Sequence, residues 1–257
     1  MKTNIYYFSG TGNSRFVATE IGNSINDSRV IDIASLKNQF NIKIDAERIG
    51  IVFPCYFYGL PLIVEEFIQN IQLPHCMYFF AVVSAMYPNG IALGQLKSKL
   101  LKKGVNLNWA TYLQMPNNYI ISLKSPSDDR TISIVNKAKK RLKAFSTQIN
   151  NKKQKRFLES SLYNKLMKSK SKYKKWHDEV RSLDKNFLVN NNCNNCGLCQ
   201  KICPASNISM VYEKPIWHNK CELCLKCLHS CPKESIDYGD DTKGKRRYKF
   251  SSISLNR

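Results

Sequence analysis

A pair of cysteine runs near the C-terminal end constrains this chain more than any other feature. Cys193, Cys196, Cys199 and Cys203 precede Pro204, and Cys221, Cys224, Cys227 and Cys231 precede Pro232. Each run reads C-x2-C-x2-C-x3-C-P, the bacterial ligand pattern for a [4Fe-4S] cluster. Together they take up eight of the ten cysteines. A cubane presents its irons at tetrahedral corners, and each iron wants one thiolate. Cysteines at i, i+3 and i+6 on a tight loop wrap three of those corners. The proline after each last cysteine stops a helix and removes a backbone donor, and Gly197 lets the backbone approach the sulfides closely.

In two-cluster ferredoxins the fourth ligand comes from the other run. That rule gives one cluster to Cys193, Cys196, Cys199 and Cys231, and a second to Cys221, Cys224, Cys227 and Cys203. Zinc is the main competitor. It takes paired ligands at C-x2-4-C separated by a longer loop, and a third cysteine three residues on has no place in that scheme. Disulfides fit less well, because nothing marks the chain as secreted. Over residues 190–238 the sequence resembles a bacterial two-cluster ferredoxin domain. Cys55 and Cys76, outside the runs, sit among apolar residues and read as buried thiols.

The first half has a different grammar. The β-rich run Asn4 to Phe8 leads into SGTGNS, Ser9 to Ser14, and then into a helical pattern with Phe16, Val17, Ile21 and Ile25 on one face. This is strand, phosphate-sized loop, helix, and a helix N-terminus favours an anion. Gly10 and Gly12 permit the turn, while Ser9, Thr11, Asn13 and Ser14 bring neutral donors. The loop lacks the lysine of a nucleoside triphosphate site and lacks G-x-G-x-x-G. A monophosphate held by neutral donors remains, and FMN fits it. Further strands are expected at 29–33, 48–53, 77–84 and 108–114, alternating with helices, which argues for a parallel sheet. In such sheets ligands lie at the carboxyl ends of the strands, where PCYFYGLP (54–61), AMYPNG (85–90) and MPNNY (115–119) fall. For the flavin ring, Pro54, Tyr56, Phe57, Tyr58 and Gly59 are expected on one side, with Met86 and Tyr87 on the other.

FSGTGNS, PCYFYGLP and MPNNYI, followed by a basic helical segment and the double cysteine run, resemble the EFR1 ferrodoxins, a family of flavodoxin–ferredoxin fusions. The resemblance covers residues 1–238. It implies an α/β flavodoxin-like doubly wound parallel sheet of order 2-1-3-4-5, a helical connector and a small α+β bacterial ferredoxin-like domain, with FMN at Ser9 to Ser14 and two [4Fe-4S] clusters. AMYPNG is poorer in glycine than such loops usually are. The expected divisions are 1–125 for the FMN-binding domain, 126–185 for a basic helical segment, 186–240 for the ferredoxin domain and 241–257 for a basic tail.

The formal charge is +21, from 40 Lys and Arg against 19 Asp and Glu. Between Lys137 and Arg181 there are 16 basic residues and three acids, Glu159, Asp178 and Glu179. Two amphipathic stripes run through this segment. Ile132, Val135, Ala138, Leu142 and Phe145 are expected to cover the sheet. Beyond a turn near Asn150, Phe157, Leu158, Leu162, Leu166 and Trp176 are expected to face the ferredoxin domain. The basic face is either an ordinary solvated surface or a docking surface for an acidic redox protein. Nucleic acid is less favoured, since no binding module is evident, and peripheral contact with anionic lipid is open. A second basic patch comprises Lys243, Lys245, Arg246, Arg247 and Lys249. No run approaches 18 apolar residues, so no membrane-spanning helix is expected, and the start is too brief for a secretory leader. A reducing, cytoplasmic setting is the expectation.

Function follows from the cofactors. The principal expectation is an electron carrier that links clusters and FMN between a low-potential donor and an acceptor, with no catalytic side chain. The alternative is an FMN-dependent reductase of a small organic acceptor, with the ferredoxin domain as built-in donor and Asn117, Asn118 and Tyr119 near the substrate.

Overall fold

The computed structural model describes residues 1–73, 77–87, 90–155 and 163–250, with the backbone alone for 163–169. In chain order the elements are β1 (Thr3–Tyr7), α1 (Asn13–Asn23), β2 (Ser28–Asp32), a 3-10 turn (Ile33–Leu36), β3 (Ile42–Lys43), β4 (Arg48–Pro54), α2 (Leu62–Asn70), β5 (Ile71–Gln72), β6 (Tyr78–Ala85), α3 (Ala92–Leu101) and β7 (Leu107–Gln114). There follow α4 (Asp128–Asn150), α5 (Tyr163–Glu179), a 3-10 stretch (Val180–Asn186), β8 (Phe187–Val189), α6 (Leu198–Ile202), β9 (Ile208–Val211), β10 (Lys214–Trp217), α7 (Lys226–Ser230) and β11 (Ile236–Tyr238).

The chain divides into two compact units. The first comprises Met1–Ser9, Asn13–Met115 and Ile134–Trp176. The second comprises Gly10–Gly12, Pro116–Ser133 and the described chain from His177. These limits differ from those read in the sequence. Residues 116–125 and the tip of SGTGNS go with the second unit, and 241–250 form part of it rather than a tail.

The first unit is built on a parallel sheet of order β2-β1-β4-β6-β7. Counted among these five strands alone, that is 2-1-3-4-5, the flavodoxin-like order. β1 lies between β2 and β4, with Ile5 opposite both Val30 and Gly50. β4 pairs with β6 (Ile51 to Ala81), and β6 with β7 (Val82 to Thr111). The strands β1, β4 and β6 are buried almost throughout, which is what helices on both faces of a parallel sheet require. Ile5, Phe8, Ile49, Ile51, Phe53, Phe79, Phe80 and Trp109 form the centre of the core. The short pair β3–β5 had no sequence signal, being two residues on each side.

α4 begins where Ser127 accepts a hydrogen bond from the Arg130 amide, with Asp128 and Asp129 in the first turn. Acids there complement the positive end of the helix. Of the expected stripe Val135, Ala138, Leu142 and Phe145 are buried and Ile132 is half-buried, and Ile149 extends the same face. Polar ties hold this helix to the sheet: Trp109 Nε1 donates to Gln148 Oε1 at 2.9 Å, and the Arg48 guanidinium donates to Ile149 O and Asn150 Oδ1, each at 3.0 Å. Arg48 is itself buried and also donates to Thr3 Oγ1, so a charge in the core is met by three acceptors. Of the second predicted stripe, Phe157, Leu158 and Leu162 lie outside the described residues, as do Cys76 and the side chain of Leu166. Among the described residues no helix is long and apolar enough to cross a membrane.

In the second unit β8 and β11 pair antiparallel (Val189 to Ile236), and β9 and β10 form a hairpin (Ile208 to Trp217). The one-turn helices α6 and α7 pack on each other.

Candidate functional site

The two cysteine loops repeat one backbone path. In the first, Asn195 and Gly197 flank Cys196 with φ of 58° and 66°; in the second, Leu223 and Leu225 flank Cys224 with φ of 49° and 57°. Left-handed residues on both sides of the middle cysteine curl each loop. Leucine is an uncommon occupant of that region, and burial of Leu223 and Leu225 offsets the strain. Each loop runs into a one-turn helix, α6 or α7, whose C-cap is the fourth cysteine, Cys203 or Cys231, in extended conformation before proline. The proline rule from the sequence is realised at both places.

The structure brings Cys203 together with Cys221, Cys224 and Cys227 around one cavity, closed by Phe187, Ile208, Trp217 and Leu225. This is the mixed set expected for the second cluster. In the other loop Cys193, Cys196 and Cys199 are partly exposed, and the neighbour of the Cys231 Sγ is Ser235 Oγ at 3.1 Å. None of the nine described cysteines is disulfide-bonded. Among the described residues no three Cys, His, Asp or Glu converge on a single-ion site. The C-x2-C-x2-C run carried by each loop is what favours a cubane over one tetrahedral zinc.

Electrostatics point the same way. Burial pushes the Cys224 thiol up to about 12, with Cys203 and Glu222 adding to the rise. Cys221 and Cys227 are also raised, by burial first and then by neighbouring thiols. Four thiolates cannot share this cavity without a cationic centre, and ligation by metal requires the thiolate form. Backbone amides already aim at the sulfurs: Asn207 N at Cys203, Leu223 N at Cys221 and Ser235 N at Cys231, at 3.2–3.4 Å.

Asn207, which the sequence did not single out, organises the second cavity. Its amide nitrogen donates to Asp184 Oδ2 at 2.8 Å, and its oxygen accepts from His218 N and Lys220 N. Asp184 Oδ2 also accepts from Asn219 N. Both side chains are almost wholly buried.

In the first unit the predicted ring-binding loop is a tight two-residue turn. Tyr56 and Gly59 exchange backbone hydrogen bonds at 3.0 and 2.8 Å, and Phe57 and Tyr58 take φ of 45° and 72°. Such a turn normally carries Asn-Gly. Two aromatic residues held there are a strained pair at the carboxyl end of β4, and strain of this kind gathers at functional sites. The AMYPNG loop reaches the same turn: Ile91 N donates to Tyr58 O at 2.7 Å, and Gly90 at φ 126° leaves no room for a Cβ beside that carbonyl. Met86 is half-buried and Tyr87 exposed, and Pro54 ends β4 opposite Ser84. The Ser14 and Ser84 hydroxyls bond at 2.7 Å, and where Ser84 is the donor the Ser14 O–H stays available to an anion. Burial pushes Cys55 up to about 12, consistent with an inert thiol.

Trp176 was expected to face the ferredoxin domain. It belongs instead to the first unit, where its ring stacks on Phe57 (5.6 Å, 12°) and meets Tyr56 edge-on. Tyr173, one turn earlier, donates from its hydroxyl to Leu60 O at 2.8 Å, and Lys172 lies over the Tyr58 ring. The Trp176 Nε1 is buried without a hydrogen-bond partner among the described residues. Helical spacing put Trp176 on a stripe but could not say which surface the stripe meets.

In the second unit the tip of SGTGNS is held from two sides. Asn118 Nδ2 donates to Thr11 Oγ1 at 2.5 Å, and Phe250 N donates to Thr11 O while its Cβ packs on Gly12, where no side chain would fit. His229 links to the same residues. Its Nδ1 accepts from Tyr248 N, so the proton is on Nε2, which donates to Asn118 O at 2.8 Å. Burial pushes this imidazole down to about 4, leaving it neutral. Asn117 and Tyr119 are likewise spent inside: Asn117 bonds Lys124 O and the Tyr119 amide, and burial pushes the Tyr119 hydroxyl up to about 12. Asn117 is thus buried in the fold, while Asn118 and Tyr119 are half-buried. The basic C-terminal patch is partly internal, with Lys243 and Arg246 exposed. Lys245 Nζ donates to the carbonyls of Ile120 and Ile121, Arg246 pairs with Asp128, and Arg247 pairs with Asp237 at 2.7 Å in a buried bridge.

Comparison with known proteins finds likenesses to parts of the chain. Residues 192–243 match the 4Fe-4S dicluster domain family. An uncharacterized polyferredoxin-like protein of Methanocaldococcus jannaschii is 41% identical over 49 residues, which is 19% of this chain and 21% of that one. The chain therefore spans about a fifth of the curated relative it matches. Among solved structures, a flavodoxin from the domain Archaea is 19% identical, covering 59% of this chain and 98% of that one with a TM-score of 0.40. A Streptococcus pneumonia TIGR4 flavodoxin gives 15%, 59%, 99% and 0.41, and an FMN-dependent NADH-azoreductase from Bacillus anthracis gives 10%, 59%, 100% and 0.39. At these scores the flavodoxin-like character rests on the strand order itself.

Replacement of Asn207 by Ala strands the Lys220 amide and one lone pair of Asp184, while the His218 amide keeps its bond to the backbone carbonyl of residue 207. It is expected to cost about 3 kcal/mol by anaerobic chemical denaturation; a change within about 0.5 kcal/mol, typical of a surface site, would show the network to be dispensable.

Proposed function

We propose that this chain is an iron–sulfur flavoprotein that carries electrons between a low-potential donor and an acceptor, holding two [4Fe-4S] clusters and FMN. The observation that carries the reading is the cavity in which Cys203 joins Cys221, Cys224 and Cys227. A 4Fe-4S domain joined to a flavodoxin-like sheet is the composition of an electron-transfer flavoprotein. Bound together, the clusters supply single-electron exchange and the flavin exchange of one or two electrons, while the protein supplies position and tuning. Cys193, Cys196, Cys199 and Cys231 would hold the other cluster. The quoted loops together with the double cysteine run support the finer kinship with the EFR1 ferrodoxins.

For FMN, the backbone and hydroxyls of Ser9 to Ser14 would hold the phosphate at the start of α1. The strained turn Tyr56–Gly59 and Met86 would border the ring. Trp176 joins this set on the structure's account. An indole N–H buried without an acceptor is costly, and the polar edge of a flavin offers carbonyl acceptors. Asn117 and Asn118, which a reductase would turn toward its substrate, bond Lys124 O and Thr11 Oγ1. The carrier reading takes precedence because it needs only the cofactors, and the small-molecule reductase is kept as its alternative.

The partner we propose is an acidic redox protein. Most lysines of α4 and α5 with described side chains point outward, and complementary charge accelerates encounter. Part of this charge is used internally, with Lys139 over the Phe16 ring, Arg141 over Phe145 and Lys155 over Trp109.

Anaerobic reconstitution with iron, sulfide and FMN tests the cofactor set. About eight irons, the content of two cubanes, and one flavin per chain are expected; about four irons, or no retained flavin, would overturn the corresponding half. Trp176→Phe keeps the stack on Phe57 but removes the donor. FMN affinity in a fluorescence-quenching titration is expected to fall roughly tenfold, the worth of one hydrogen bond. An unchanged dissociation constant would remove Trp176 from the site.

A further inference from the structure

The chain has three tryptophans, and their indole N–H groups meet different fates. Trp109 donates to Gln148 Oε1. Trp176 is discussed above. Trp217 closes β10 in the second unit, stacked on Phe187 with ring centroids 5.1 Å apart and planes 9° from parallel. It lines the same cavity as Cys203, Cys221, Cys224 and Cys227. Its Nε1 is buried and has no hydrogen-bond partner among the described residues.

An indole nitrogen is a donor only, and buried donors are normally paired. The walls offer little else to pair with. Pro204, Ala205, Ile208 and Leu225 are apolar, the Asn207 oxygen is already taken by two backbone amides, and the buried Glu222 carboxylate, which also lines the cavity, does not accept from this N–H. What the cavity does offer is sulfur, four thiols of it. The stack on Phe187 and the pairing of Trp217 with Ile208 fix the ring, so the donor is set in place before any acceptor arrives.

We propose that the Trp217 indole N–H donates a hydrogen bond to the sulfur set of the cluster held by Cys203, Cys221, Cys224 and Cys227, and thereby raises the reduction potential of that cluster alone. The inference rests on the two-cluster reading above. Reduction adds negative charge to an already anionic centre, so a donor to its sulfurs favours the reduced state, and hydrogen bonds to sulfur are among the determinants of cluster potential. Of the three tryptophans Trp217 alone belongs to the second unit, and it lies on the cavity of one loop. One side chain would thus make two similar ligand loops electrochemically unequal.

Trp217→Phe in the full, reconstituted chain preserves the stack and removes the donor. In a potentiometric titration followed by paramagnetic resonance, one cluster signal is expected to shift to lower potential and the other to stay in place. Two unmoved potentials at full iron content would overturn the proposal. Should the variant lose iron, wild-type protein labelled with 15N at the indole nitrogens decides the matter. Electron–nuclear double resonance on the reduced protein is expected to show one coupled indole nitrogen and one exchangeable proton; their absence would overturn the proposal as firmly. A wild-type chain that takes up no iron would instead sink the cluster reading, and the iron assay separates the two failures.

Discussion

Much of the second unit depends on one crossing: the Cys203 thiol, carried on the first loop, faces the cavity of the second. Little else could hold these pieces. α6 and α7 span five residues each, far below the length at which a helix is stable alone. The two-stranded ladders β8–β11 and β9–β10 are marginal by themselves. A scaffold this small needs staples. The crossing supplies one where a cluster is bound, and the Asp184–Asn207 network supplies another by tying the 3-10 stretch to the chain on both sides of β9–β10.

Charge is distributed with the same economy. A net charge of +21 suggests a broad binding surface, yet the C-terminal basic residues are consumed by carbonyls and carboxylates of their own unit. Arg247 and Asp237 form a nearly buried pair, and Lys245 caps a turn of carbonyls. The described lysines of α4 and α5 stay largely on the outside, and two of them, Lys139 and Lys172, lie over aromatic rings. Screening by salt acts on those exposed groups and much less on the buried pair.

Spacing made a large part of this legible. The cysteine runs, the order of strand and helix, the SGTGNS loop and the stripe of α4 each repeat a short pattern, and short patterns are visible in one dimension. β4 and β6 fall within a residue or two of the predicted ends. Trp217 and Asn207 were not visible, because their roles come from partners distant along the chain: Phe187 for one, Asp184 for the other. Trp176 was visible as a stripe residue but placed on the wrong neighbour, since periodicity shows a face and not what covers it. The tail was misjudged because a cluster of lysine and arginine looks the same in sequence whether it meets water or carbonyl oxygens.

Exchange of Cys203 for Ala tests the crossing most directly. If Cys203 completes the set of Cys221, Cys224 and Cys227, the anaerobically reconstituted variant will keep the cluster of its own loop and lose or degrade the other. Cys193→Ala and Cys221→Ala serve as markers that identify each paramagnetic signal. Loss of the signal that Cys193→Ala also abolishes, with the Cys221-dependent signal intact, would contradict the account.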